Sequence, residues 1–168
     1  MNRRDGDDGI MTLNIRLFFA LFVVFVLTIL PLPEAMMGFR PPWIMLFVLY
    51  IQFFLPNYFN MTSLFILGLC LDVLLSTVIG EHPFALLLTT WFAAGKARRF
   101  NFFSMGKQML LVGLFCLLYQ LIIFLIDAFL GYSPRLWMVV VSALFSLLFW
   151  PWVRWVLANS PFLLRCVY

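Results

Sequence analysis

Few side chains in this 168-residue sequence could do chemistry, and they lie within or beside long apolar runs: Asp72, His82, Tyr119, Gln120 and Asp127. An ionisable residue at the centre of a membrane helix costs about 2.5–3.5 kcal/mol on insertion scales, so each needs a partner or a task. Asp72 lies near the middle of the third apolar run. Gly68, Asp72, Ser76 and Gly80 recur every four residues, which puts them on one helix face. That face is small and polar, suited to close approach by a second helix. Two readings of Asp72 stay open: a buried packing group, protonated and hydrogen-bonded, or a functional carboxyl. Gly113, Gln120 and Asp127 are seven apart and form a second stripe on the fifth run. Gln120 and Tyr119 fall near the membrane midplane at the level of Asp72, so the third and fifth helices are expected to pair. Asp127 lies about 10 Å further out at 1.5 Å per residue, where Arg135 offers a water-exposed ion pair.

Catalytic patterns do not assemble from these residues. An intramembrane aspartyl protease needs two carboxyls close enough to share a proton; Asp72 and Asp127 are expected at different depths, and neither follows a glycine. There is no phosphate-cradling glycine loop, no Gly-x-Ser-x-Gly elbow and no His-Glu-x-x-His. His82 follows Glu81 in a short outer link and reads as an interfacial turn residue rather than a ligand. Cys70 and Cys116 sit inside apolar runs and Cys166 near the C-terminus, which gives no zinc or disulfide framework. No catalytic residue, cofactor or metal is expected, and the chain does not read as an enzyme.

What must position these groups is set by composition. The chain is 65% hydrophobic and 11% charged, with mean hydropathy +1.06, whereas soluble domains run about 45–50% apolar and about 25% charged. The excess must face lipid. The sequence predicts an all-α polytopic protein, a single integral membrane domain of about six transmembrane helices over roughly 10–31, 42–55, 61–79, 83–95, 109–130 and 136–157. Pro151 interrupts the last, where neighbouring helices must satisfy the freed carbonyl. The second and fourth runs are short, which leaves tilt, extension into flanking residues or a re-entrant hairpin open. Placing the N-terminus inside puts Arg3, Arg4, Arg16, Lys96, Arg98, Arg99, Lys107, Arg154 and Arg165 on the cytoplasmic side and only Arg40 and Arg135 outside. That asymmetry predicts N-in, C-in. It also accounts for the net charge of +4 without nucleic-acid binding. A cleavable signal peptide competes for the first run, but Pro33-Glu34-Ala35 lacks the small-x-small pattern, so the run is expected to be an anchor. Lys96, Arg98, Arg99 and Lys107 form a basic loop, able to meet anionic lipid headgroups or acidic partners and sufficient as a topology determinant. Trp43, Trp91, Trp137, Trp150, Trp152 and Trp155 fall near helix ends and suit an interfacial belt.

Three stretches carry a family likeness when taken in order. Phe39-Arg40-Pro41-Pro42-Trp43, followed by Leu49-Tyr50, resembles the start of the second helix in the rod shape-determining MreD family. Gly68-x-x-x-Asp72 running to Ile79-Gly80 is similar to that family's central helix, and Phe149-Trp150-Pro151-Trp152 to its Trp-Pro-Trp segment. Ser76 stands where the family often has glycine, and the acidic Asp5-Asp7-Asp8 tail has no counterpart. The resemblance implies a non-enzymatic component of the bacterial inner membrane, part of the cell-elongation machinery that directs peptidoglycan synthesis. Its implied partners are MreC, the MreB filament, and RodA with its class B penicillin-binding transpeptidase. The family is also similar in architecture to the substrate-binding subunits of energy-coupling-factor transporters. That likeness supplies an alternative: a transporter subunit with a small-molecule pocket near Asp72, Tyr119 and Gln120. On the scaffold reading, Arg40, Trp43, Gly68, Asp72, Ser76, Gly80, Gln120 and Asp127 are the candidates for helix packing and partner binding.

Overall fold

The computed structural model describes residues 3–30, 41–55, 60–132 and 136–158, with side chains at 3–14, 16, 157 and 158 excluded. Within them the chain is all-helical: α1 (Arg3–Ile29), α2 (Trp43–Phe54), α3 (Met61–Leu75), α4 (Glu81–Phe100), α5 (Met105–Phe129) and α6 (Leu136–Ala158). Two of these, α5 and α6 over Leu136–Val156, are long and apolar enough to cross a membrane. Only a third of the apolar window in α5 is buried, and less in α6, so their apolar surface faces outward as a lipid-facing helix requires.

The second run is short for a reason that hydropathy could not display. At 12 residues, α2 is about 18 Å long against about 30 Å of bilayer hydrocarbon. It is walled in by α1, α4, α5 and α6. Ile44 to Ile51 and Phe53 are all buried, with Met45, Leu46 and Leu49 wholly so. A helix that touches protein on every side need not match the bilayer thickness. The fourth run differs in the other direction. Helix α4 covers 20 residues rather than the expected 83–95, gaining Glu81 and His82 at its start and a basic turn at its end. Arg98 and Arg99 occupy its last turn, where cations complement the negative end of the helix dipole. Lys96, Arg98 and Arg99 are therefore helical, and Lys107 lies in the first turn of α5, which begins at Met105 rather than 109. The expected basic loop shrinks to 101–104.

Helix α3 ends at Leu75, four residues before the expected 79. Ser76 turns left-handed at φ 53° and its N–H returns to the Asp72 carbonyl, as does that of Thr77 at 3.1 Å. Ser76 and Gly80 thus leave the helical face that their spacing implied. The five-residue link that follows is too short to let α4 travel, so α3 and α4 pack as an antiparallel hairpin. By the same logic α5 pairs with α6. The expected pairing of α3 with α5 is corrected: α4 stands between them, packed on both.

Glycines set both close crossings. A Cβ on Gly68 would lie 2.5 Å from the Pro83 backbone of α4, and one on Gly113 would collide with a Leu147 methyl of α6. Trp150 departs from the expected interfacial belt, being fully buried with its Nε1 lacking a partner among the described residues, whereas Trp91, Trp137, Trp152 and Trp155 are exposed.

Candidate functional site

The start of α4 explains what Asp72 does. Every helix begins with N–H groups that have no intrahelical acceptor, and a side chain at the N-cap usually supplies one. The N-cap of α4 is Gly80, left-handed at φ 103° and without a side chain to offer. Asp72, in the last turn of α3, takes over from the neighbouring helix. Its Oδ2 accepts the Gly80 N–H at 2.6 Å and its Oδ1 the His82 N–H at 3.1 Å. A carboxylate there also faces the positive end of the α4 dipole. His82 Nδ1 meets Oδ1 at 2.9 Å, and the Thr77 hydroxyl reaches both groups at a marginal 3.4 Å. The side chain of Asp72 is fully buried. One turn back, Gly68 admits Pro83, so Gly68-x-x-x-Asp72 and His82-Pro83 form one clasp closing the α3–α4 hairpin.

His82, which the sequence alone presents as a turn residue, is the side-chain partner of Asp72. It is in the turn, but its ring lies on Asp72 and faces the Tyr119 ring edge-on at 6.3 Å. The available signal was its distance of ten residues from Asp72 across a glycine-bearing link. His82 and Tyr119 form one wall of a crevice of about 170 Å³ closed by Thr28, Pro42, Trp43 and Leu71. Asp72 and Gln120 do not line it.

Gln120 instead turns to α6 and donates to the Ser142 hydroxyl. The Gly113–Gln120 stripe is therefore a packing face, but for α6 rather than α3. Asp127, further along it, is half-buried, and its carbonyl accepts the Tyr132 N–H at 3.0 Å. Its expected partner Arg135 lies outside the described residues, as does Arg40. Trp43 packs edge-on against Phe149 of α6, 4.9 Å between centroids. Lys96, Arg98, Arg99 and Lys107 are all exposed.

A second polar tie, for which the sequence carries no spacing signal, lies at the opposite end of α4. Gln108 is buried and its Nε2 donates to the carbonyls of Phe100 and Phe103, each at 3.1 Å, fixing the α4–α5 turn. Arg154 of α6 donates to Gln108 Oε1 and lies over the Phe54 ring at 5.7 Å. Phe100 is sandwiched there, stacked on Phe53 at 3.8 Å and edge-on to Trp150 at 5.8 Å. Arg154 is thus a packing residue as well as a charge on the basic side.

Among the described residues no three metal-ligating side chains converge, and the hydrogen-bonding capacity of Asp72 is spent on the hairpin. The arrangement suits holding helices together.

Comparison with known proteins agrees in scope with that reading. The family model for rod shape-determining protein MreD matches residues 9–159. The chain is similar to the rod shape-determining protein MreD of Haemophilus influenzae, 32% identical over 131 residues that cover 78% of this chain and 81% of that protein. No solved structure matches. The match spans both the Asp72 clasp and the Gln108–Arg154 tie, and the chain, a membrane protein with a role in determining rod shape, belongs to the MreD family.

Proposed function

We propose that this protein is a non-enzymatic scaffold of the cell-elongation machinery in the bacterial inner membrane. It holds MreC through that protein's membrane helix and links the MreB filament to the lateral-wall peptidoglycan synthase of RodA and its class B penicillin-binding transpeptidase. Family membership over nearly the whole chain carries the reading. The site chemistry supports it, because the most deeply buried carboxyl among the described residues caps a neighbouring helix and is not presented to a substrate. All six helices cross the membrane as one domain, N-in and C-in. Lys96, Arg98, Arg99 and Lys107 then line the cytoplasmic end, where they can meet acidic partners or lipid headgroups.

Affinity purification of the tagged chain from native membranes in mild detergent, with mass spectrometry of what accompanies it, tests this. MreC together with the synthase is the expected recovery. Recovery of an ATPase pair and a coupling subunit without MreC would replace the scaffold by the transporter reading.

A further inference from the structure

A groove of about 680 Å³ opens on the outside of the bundle where the α3–α4 link meets the C-terminal half of α5. Its walls include Ile79, Phe84, Leu125, Ile126 and Phe129, and its one ionisable side chain is Glu81, itself 4% exposed. Along α5 the lining runs from Ile122 to Leu130, about 12 Å at 1.5 Å per residue. That is close to the depth of one leaflet, half of about 30 Å of hydrocarbon. A partner helix would need a seat running the full height of the bundle, whereas an acyl chain needs only its own leaflet.

The charge at the groove's outer end narrows the headgroup. Asp127 and Asp72 lie within electrostatic reach of Glu81. No lysine or arginine is among the residues that line the groove, and those whose side chains the structure describes, Lys96, Arg98, Arg99, Lys107 and Arg154, belong to the opposite end of the bundle. An anionic headgroup would meet no cation in that lining and would face Glu81. A primary ammonium could donate to the Glu81 carboxylate, and charge-assisted hydrogen bonds are the strong ones.

We infer that this groove is a binding site for one phospholipid with a primary-ammonium headgroup, its acyl chain along α5 and its ammonium on Glu81. The site does not depend on which elongation partners the protein holds.

The test uses the full chain in detergent at neutral pH, with added palmitoyl-oleoyl phosphatidylethanolamine or the phosphatidylglycerol of the same chains. Thermal midpoint is read, because a ligand that binds only the folded state stabilises it. The ethanolamine lipid should raise the midpoint by several degrees more than the glycerol lipid. Glu81→Gln should abolish that preference, and Leu125→Trp, which fills the groove while keeping the carboxylate, should abolish stabilisation by the ethanolamine lipid. Equal shifts for the two lipids would overturn the assignment, as would a preference surviving either substitution. Should Glu81→Gln fail to fold, Leu125→Trp decides alone. Capture of a second polypeptide rather than lipid by a photocrosslinker at position 125 in native membranes would also overturn it.

Discussion

Asp72 is worth more to the α3–α4 hairpin than any single apolar contact, because removing it strands two backbone donors, one buried and one part-buried, and an imidazole at once. An unsatisfied buried donor costs about 1–3 kcal/mol, so Asp72→Ala should lose about 3 kcal/mol or more and deplete the protein in membranes, read by thermal midpoint and immunoblot. Asp72→Asn keeps one accepting oxygen and should lose less. Equal loss in the two variants would mean that the carboxyl acts through its charge on the helix dipole rather than through these bonds. Ser76 moves the other way. A side chain in the left-handed region costs about 1–2 kcal/mol, and glycine gives back part of that as chain entropy. Ser76→Gly should therefore raise stability by up to about 1 kcal/mol, and a lower midpoint would show that the hydroxyl makes a contact worth keeping. The sequence carried the four-residue spacing of Gly68, Asp72, Ser76 and Gly80 but not its meaning. Ser76 and Gly80 share the site because the chain leaves the helix and returns; helical periodicity mimicked that proximity by a different geometry.

Between helices, the two glycine crossings look alike in sequence and differ in what lies opposite. At Gly68 the obstacle is the backbone of Pro83, which cannot turn away; at Gly113 it is the end of the Leu147 side chain, which can. Overpacking typically costs about 1–3 kcal/mol. Gly68→Ala should fall at or above the upper end of that range and Gly113→Ala near the lower. Adding Leu147→Ala should relieve much of the second and none of the first, a pattern that a double-mutant cycle in detergent would reveal. That glycines mark close approach was legible from the sequence, and so was the existence of all six helices. Which helix approaches was not legible, because α3 and α5 each carry a polar stripe and the spacing alone lets either face the other. Link length decides instead: the few residues after α3 hold α4 against it, and Gln120 finds Ser142 on the helix that follows its own. The brevity of α2 was legible too, but its cause, enclosure by four neighbours, exists only once the bundle is assembled.

For the molecule as a whole, the two polar ties sit at opposite ends of α4, and their chemistry matches the side of the membrane assigned to each. The Asp72 clasp closes the end that carries Glu81 and Asp127, while Gln108 and Arg154 close the end that carries Lys96, Arg98, Arg99 and Lys107. Cytoplasmic loops hold the excess of Lys and Arg, so the Gln108 end should be inside and the Asp72 end outside. Helix α4 must then cross despite its charged last turns, sheltered by α2, α3 and α5. Single-cysteine variants at exposed positions can test this, after replacement of Cys70, Cys116 and Cys166. Ile79→Cys in the α3–α4 link and Tyr132→Cys after α5, exposed at 78% and 63% in the parent residues, should react with a membrane-impermeant maleimide in intact spheroplasts. Phe102→Cys in the α4–α5 turn, at a residue 88% exposed, should react only after permeabilisation. The reverse pattern would invert the topology and put the basic end outside. Labelling of positions 79 and 102 from the same side would mean that α3 and α4 form a re-entrant hairpin, which would leave α5 and α6 as the spans of the C-terminal half.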